Sequence, residues 1–146
     1  MSARAVQSWS SRQWQSVSEG EELPPFDFPI TVTRLVMAVA GTRDLYAVHH
    51  DPAVARRQGA RDMFANTMFF QGLINRYLND WGGPESYLRK LGISMRDQVC
   101  PGDTVTVKGQ VTKKYERDGQ KLVDLDVVIM RGEVLAVQAW ATLELV

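Results

Sequence analysis

Both histidines of the chain lie side by side in one short segment, GTRDLYAVHHDP, residues 41–52. Asp44 precedes the first of them, His49, by five residues. Carboxylates and imidazoles are common general acids and bases, and imidazole titrates nearest neutral pH. A loop of this length can turn both side chains toward one point, where they would hold a water molecule. The carboxylate would polarise or deprotonate that water, and the imidazole would orient it and move a proton.

The same segment also has a purely structural interpretation. Asp44 could cap the turn that follows it. Asp51 followed by Pro52 is typical of a helix N-cap with proline in the first turn, and His50 is expected to be structural or exposed. The spacing alone leaves two alternatives open: a working acid–base pair, or two polar residues in a turn.

Other catalytic and metal-binding patterns are missing from the sequence. It contains no HxxxH, HExxH, GxGxxG, P-loop or GxSxG pattern, and two adjacent histidines without further ligands do not form a metal site. The single cysteine, Cys100, has no second sulfur and no histidine nearby in sequence, so it is expected to be an inert thiol. We therefore expect no metal site.

The charge balance, the apolar runs and the cysteine count limit the classes of partner and location that the sequence fits. The 17 basic and 17 acidic residues cancel, which disfavours nucleic acid as a partner and leaves self-association open. No apolar run approaches the roughly 18 residues that cross a bilayer, and the first residues lack the apolar core of a signal peptide. With one cysteine and no internal disulfide, a cytoplasmic location is expected. We expect one domain over 14–146, preceded by an arm over 1–13 that is frayed or docked on a partner.

The elements that would position the loop follow from apolar periodicity and from proline and glycine punctuation. Before and after the loop, these signals predict a short strand over 28–32 that follows the extended Pro24-Pro25, a helix over 33–40 capped by Thr33 and ended by Gly41, and a helix over 52–58 ended by Gly59.

The strongest helix is predicted over 66–83. Its apolar residues cover well over half its circumference, which is typical of a helix surrounded by other structure. Alternating apolar residues then predict four antiparallel strands over 91–99, 104–111, 122–130 and 134–145, with a hairpin turn at Asp118-Gly119. Helices followed by a hairpin-linked sheet indicate an α+β fold, in which a long sheet wraps around one buried helix.

Three segments in this order, VSEGEELPPFDFPIT, DLYAVHHDPAVARRQGA and PGDTVTVKGQVTKK, resemble the MaoC-like family of (R)-specific enoyl-thioester hydratases and dehydratases. The resemblance runs from about residue 14 to the end of the chain. It implies the hot-dog fold, a curved antiparallel sheet around a central helix. The hydratase signature of the family has an Asp five residues before a His, so Asp44 and His49 fall on its catalytic positions. Within the family, the chain looks closer to the small subunits of sterol and bulky acyl-CoA degradation than to the short-chain hydratases.

The resemblance implies hydration of a trans-2-enoyl thioester, or the reverse dehydration, with coenzyme A as part of the substrate and no metal or redox cofactor. Asp44 would act as the base toward water, and His49 would assist proton transfer to C2, giving the R product at C3.

The central helix would supply the rest of the site. Thr67 N–H, with Asn66 nearby, would steady the enolate oxygen at the helix N-terminus, where free N–H groups and the helix dipole favour negative charge. The acyl tail would lie along the helix, where Phe69 or Phe70 would line the pocket.

Two departures from the family pattern support an alternative. Tyr46-Ala47 stands where Asn-Pro is usual, and Asn66-Thr67 stands where His-Gly is usual. A non-catalytic hot-dog subunit, which binds an acyl thioester or stabilises a catalytic partner, would tolerate both.

A hot-dog thioesterase would need a carboxylate on the central helix, where the only acidic residue is Asp80 near the far end. An exposed sheet edge predicts a homodimer or higher oligomer, or a heteromer with a second hot-dog chain.

Overall fold

A computed structural model describes residues 10–146, so that most of the predicted arm, residues 1–9, lies outside the described residues. The described chain has three α-helices, two single 3₁₀ turns and five strands. In chain order they are β1 (Glu22–Pro29), α1 (Val32–Thr42), α2 (Pro52–Arg57), α3 (Thr67–Gly82), β2 (Tyr87–Met95), β3 (Thr104–Arg117), β4 (Gln120–Arg131) and β5 (Val134–Glu144), with the 3₁₀ turns at Trp14–Ser16 and Ala47–His49.

The strands form one antiparallel sheet in the order β1-β3-β4-β5-β2, and α3 packs against one face of it. The buried face of α3 meets the buried residues of the sheet in one apolar core. Side chains with no exposed surface come from both layers: Phe70, Ile74 and Leu78 from α3, and Val105, Val107, Val111, Val123 and Leu143 from the strands. The predicted α+β fold, with a sheet wrapped around a central helix, is confirmed.

Helix α1 begins and ends differently from the prediction. Thr31 caps it, because its hydroxyl accepts a hydrogen bond from Arg34 N–H at 3.2 Å, so the predicted cap Thr33 lies inside the helix. Gly41 also lies inside the helix, which continues to Thr42. The chain leaves the helix at Arg43, whose φ of 57° is left-handed, the conformation that glycine usually supplies at this place.

Strand β1 contains Pro24 and Pro25 and is longer than predicted. It lies at the edge of the sheet, and its register with β3 shifts between Leu23 and Phe26. An edge strand with an irregular register tolerates residues that lack a backbone N–H. The strand ends at Pro29, so the predicted continuation to residue 32 is wrong; Ile30 instead pairs with the turn before β3 through Ile30 N–H and Asp103 O.

Strand β2 lies four residues before its predicted bounds, and ends at Met95. Arg96 and Asp97 both donate their backbone N–H groups to Ala136 O, which turns the chain out of the ladder. The hairpin between β3 and β4 is confirmed. Asp118 and Gly119 have φ values of 52° and 78°, as the tight turn requires.

The described end of the arm docks on the carboxyl end of α3. Arg12 N–H donates to Gly82 O at 2.9 Å, and the Arg12 guanidinium pairs with Glu21. The same guanidinium stacks on Trp81, with 4.7 Å between Cζ and the ring centroid. Within residues 10–146, no helix is long and apolar enough to cross a membrane.

Candidate active site

The loop that holds Asp44 and His49 is fixed at both ends. It starts at the left-handed Arg43 and passes through the 3₁₀ turn Ala47–His49. At its end, the Asp51 carboxylate caps α2 by accepting from Ala53 N–H at 2.8 Å and from Val54 N–H at 3.1 Å. The predicted N-cap at Asp51 is therefore confirmed. His50 is exposed, which is one of the two states expected for it.

Asp44 and His49 face each other, with 3.5 Å between Asp44 Oδ2 and His49 Nε2. His49 Nδ1 lies 2.7 Å from Phe64 O. A carbonyl oxygen only accepts, so Nδ1 carries the hydrogen, and Nε2 of the neutral ring has a free lone pair. Two acceptors at this separation suit a water molecule that donates one hydrogen to each. The geometry therefore fits an acid–base pair, rather than a carboxylate that caps its own turn.

Asn66 holds the carboxylate in place. Its Oδ1 accepts from Phe69 N–H at 2.8 Å, which makes Asn66 the N-cap of α3. A backbone N–H only donates, so the amide orientation is determined, and Nδ2 faces Asp44 Oδ2 at 3.1 Å and Thr42 Oγ1 at 3.0 Å. The sequence placed Asn66 beside the enolate oxygen, but its amide hydrogens are directed to Asp44 and Thr42. Asn66 is thus a positioning residue.

The pair opens on a cavity of about 670 Å³. Four predicted site residues lie together in its wall, namely Asp44, His49, Asn66 and Thr67. Thr67 and Met68 begin α3, where first-turn N–H groups have no intrahelical acceptor. Because Asn66 Oδ1 takes the N–H of Phe69, the N–H groups of Thr67 and Met68 are the ones available to an oxygen in the cavity. The helix dipole adds positive potential there.

The two predicted aromatic pocket residues lie elsewhere. Phe70 has no exposed surface and belongs to the core between α3 and the sheet. Phe69 packs against Phe28 of β1, with 6.1 Å between ring centroids. Neither residue lines the cavity, because the first turn of α3 directs Phe69 toward β1 and Phe70 toward the sheet, while Thr67 and Met68 face the cavity.

The opposite wall of the cavity was not predicted. It is formed by Met95, the last residue of β2, and by the three residues that follow it, Arg96, Asp97 and Gln98. The Gln98 N–H and then the Arg131 guanidinium, at 2.6 Å, hold the pKa of Asp97 below its ordinary value. The wall escaped prediction because the sequence places these residues within a strand. Thr42 and the Phe64 carbonyl were also missed, since no local pattern marks a residue that orients another.

Near this loop, the Asp103 carboxylate forms an ion pair and a further hydrogen bond. Asp103 accepts from both Arg61 nitrogens, at 2.6 and 3.2 Å, and from Cys100 N–H at 2.8 Å. Cys100 is buried, and burial raises the pKa of its thiol, so the side chain is protonated. Within the described residues, no group of three or more His, Cys, Asp or Glu lies together as a metal site would require.

The chain is similar to known proteins in sequence and in fold. Residues 18–138 match the family model described as FAS1-like, dehydratase domain region. The chain is 37% identical over 93 residues to the 3-oxo-4,17-pregnadiene-20-carboxyl-CoA hydratase beta subunit of Mycobacterium tuberculosis (strain ATCC 25618 / H37Rv), which spans 64% of this chain and 72% of that protein.

Solved structures extend the likeness to the whole fold. A chain of the ChsH1–ChsH2 complex from Mycobacterium tuberculosis superposes with a TM-score of 0.81 at 32% identity, covering 88% of this chain and 98% of the other. The (R)-hydratase from A. caviae involved in PHA biosynthesis shares the fold, with a TM-score of 0.80 at 24% identity over 90% of this chain and 99% of the other. The chain therefore belongs to the FAS1-like dehydratase family, and it has the hot-dog fold of the similar hydratase structures.

Proposed function

We propose that the chain catalyses the (R)-specific addition of water to a trans-2-enoyl thioester, or the reverse loss of water from a 3-hydroxyacyl thioester. The observation that carries this proposal is the 3.5 Å approach of Asp44 Oδ2 and His49 Nε2 in the wall of a cavity that also contains the first turn of α3. A hydratase subunit at 37% identity supports it.

In the hydration direction, the water held by Asp44 and His49 attacks C3. Asp44 acts as the base toward this water, and the electrons of the double bond move onto the thioester oxygen. Thr67 N–H stabilises the resulting enolate, and the dipole of α3 adds positive potential at the same place. The enolate then collapses as the proton taken up by Asp44 passes to C2, with His49 assisting the transfer, so that Asp44 returns to the carboxylate. One hydroxyl has been added at C3 and one hydrogen at C2, so the atoms of one water are accounted for.

Asn66 and Phe64 prepare this step before substrate binds. The Asn66 amide fixes the carboxylate oxygen that faces His49, and the Phe64 carbonyl keeps the lone pair of the imidazole on Nε2. A non-catalytic subunit has no physical reason to hold both groups in this way. The arrangement therefore favours catalysis over the alternative of a subunit that only binds acyl thioester or stabilises a partner.

We place coenzyme A in the substrate, as the name of the similar hydratase subunit does for that protein. The reaction adds or removes water without electron transfer, so the proposal includes no metal or redox cofactor. We further propose a cytoplasmic location, which the single free thiol favours.

We also propose that the edge strand β2 pairs with a second hot-dog chain. In this chain β2 pairs with β5 only, and its other edge has no strand beside it within residues 10–146. Tyr87 and Met95 are exposed at its two ends, and Met95 also lines the cavity. The similar solved chain comes from a complex of two proteins, which supports a heteromer, and pairing with its own copy uses the same edge.

The test of the proposal is hydration of a panel of trans-2-enoyl-CoA thioesters, followed by the loss of absorbance of the conjugated thioester. The account predicts turnover, and chiral analysis of the product gives the R configuration at C3. Absence of turnover for every thioester, with the chain alone and with its partner chain, would leave the binding-subunit alternative.

A further inference from the structure

The wall over residues 95–98 is a polar side of the catalytic cavity, and the proposed catalytic step uses none of its side chains. Its polar residues are Arg96, Asp97 and Gln98. The apolar residues of the cavity at and before the start of α3 are Phe64, Ala65 and Met68. The wall over residues 95–98 is therefore suited to a polar part of a substrate that does not itself react.

Within residues 10–146, Gln98 is the polar residue of this wall whose side chain has no hydrogen-bond partner. The Asp97 carboxylate is occupied on both oxygens, since Oδ1 accepts from Gln98 N–H at 2.7 Å and Oδ2 accepts from the Arg131 guanidinium at 2.6 Å. Arg96 donates from Nη2 to Gln138 Oε1 at 3.3 Å. Neither polar atom of the Gln98 amide is among the unpaired atoms of this part of the chain that have no exposed surface. The amide is therefore open to a ligand in the cavity.

The backbone that carries Gln98 is held in place by three hydrogen bonds. Arg96 N–H and Asp97 N–H donate to Ala136 O of β5, at 2.8 and 3.1 Å, and Gln98 N–H donates to the Asp97 carboxylate. Gln98 itself is half-buried. Because the backbone is anchored and the side chain is partly enclosed, a hydrogen bond from this amide to a ligand costs less conformational entropy than one from a mobile loop.

We propose that the Gln98 side chain binds the thiol arm of the thioester substrate, by a hydrogen bond to the first amide of the pantetheine group of coenzyme A. That amide is separated from the sulfur by only two methylenes, so it enters the same cavity as the reacting thioester. A glutamine amide has both donors and an acceptor, and can donate to the carbonyl of the arm or accept from its N–H. An alkyl chain against this wall would instead leave the Gln98 amide without a partner, which is costly.

The inference rests on the proposed function, because that function places the thioester at Thr67. The arm does not change while water is added, so the Gln98 bond contributes equally before and in the transition state, and it should affect KM rather than kcat. With one trans-2-enoyl-CoA, Gln98→Leu is expected to raise KM about fivefold, the effect of one net hydrogen bond, and to leave kcat within about twofold of wild type.

The test that isolates the amide uses two thioesters of the same trans-2-enoic acid. N-acetylcysteamine keeps the first amide of the arm, whereas pentanethiol has the same chain length and no amide. The preference in kcat/KM for the N-acetylcysteamine thioester should be about fivefold greater in wild type than in Gln98→Leu. Gln71→Leu is the matched control, because Gln71 is exposed on α3 and does not line the cavity, and it should keep the wild-type preference.

The same preference in wild type and Gln98→Leu, or a loss in kcat at unchanged KM, would overturn the inference. A change of mass in Gln98→Leu by sedimentation would also overturn it, because the amide would then belong to a contact between chains. If no thioester is hydrated, the proposed function fails, and calorimetry with saturated butyryl-CoA then tests the Gln98 contact by itself. Binding about fivefold weaker in Gln98→Leu would support the contact, whereas equal binding, or no binding to wild type, would exclude it.

Discussion

At the residue scale, one side chain, that of Asn66, both caps α3 and holds the Asp44 carboxylate. Asn66 is 4% exposed and satisfies Phe69 N–H with its oxygen and Asp44 Oδ2 with its nitrogen. The start of α3, which we propose as the donor for the enolate oxygen, is thereby tied to Asp44, the proposed base. The Asp44–His49 spacing was visible in the sequence. The role of Asn66 was not, because only the position of Phe69 N–H determines which end of the amide faces Asp44.

Asn66→Asp separates the two roles of this residue. A carboxylate still caps α3, but it places a second negative group beside Asp44 and removes the amide donor. Two adjacent carboxyl groups resist ionising together, so the acid limb of the pH–rate profile should move to higher pH by about one unit, and turnover at neutral pH should fall about 10- to 100-fold. Steady-state rates from pH 5 to 9 measure both effects.

Asn66→Ser is the control for capping, because serine also caps helices but brings no charge. It should lower turnover without moving the acid limb. An unchanged profile and rate in Asn66→Asp would mean that this amide does not position Asp44.

At the element scale, predictions are confirmed where the residues of the element itself determine its bounds. They are wrong where a contact with another strand determines them. Asp51-Pro52 and the turn at Asp118-Gly119 are set by their own residues, and both stand where the sequence placed them. The end of β2 depends on Ala136 of β5, which accepts two N–H groups and draws the chain away. No pattern within β2 contains that information. The same contact creates the unpredicted wall of the cavity.

Asp103 joins the segment before α3 to the turn before β3. Burial alone would raise its pKa, but hydrogen bonds from the Arg61 guanidinium and Cys100 N–H outweigh burial and hold the pKa below 3.8. A pKa depressed in the folded state stabilises the protein above the unfolded value, and this contribution is lost as pH falls through the folded value.

Asp103→Asn should therefore lower the free energy of unfolding by about 1–3 kcal/mol at pH 7. The difference from wild type should shrink as pH falls through the folded-state pKa of Asp103, which lies below its ordinary value. Urea unfolding at pH 7 and pH 3 measures this, with Asp126→Asn on the exposed face of β4 as the control. A difference that stays constant between the two pH values would contradict the account.

At the scale of the whole molecule, the sheet wraps α3 but leaves β2 as an edge beside the catalytic cavity. Apolar periodicity predicted the wrapped helix, and the resemblance to a hot-dog family implied an exposed sheet edge. It could not identify the strand at that edge, since strand order depends on which distant segments pair.

Pairing through β2 predicts that charge at this edge dissociates the assembly. Wild type is expected to run as a dimer in analytical ultracentrifugation. The double variant Tyr87→Lys/Met95→Lys should run as a monomer, because like charges would face each other across the edge. Val134→Lys changes an apolar residue of similar exposure, 41% against 39% for Met95, away from β2, and should remain dimeric. An unchanged mass in the double variant would place the contact elsewhere.

The central claim is that Asp44 and His49 together activate one water molecule. Its most direct test is the hydration rate of one trans-2-enoyl-CoA by wild type, Asp44→Asn, His49→Ala and His50→Ala, each checked for an intact fold by circular dichroism. The account predicts that kcat falls at least about 100-fold in Asp44→Asn and in His49→Ala, the usual contribution of one acid–base group, and that His50→Ala retains wild-type turnover. Wild-type turnover in Asp44→Asn or His49→Ala would contradict the account.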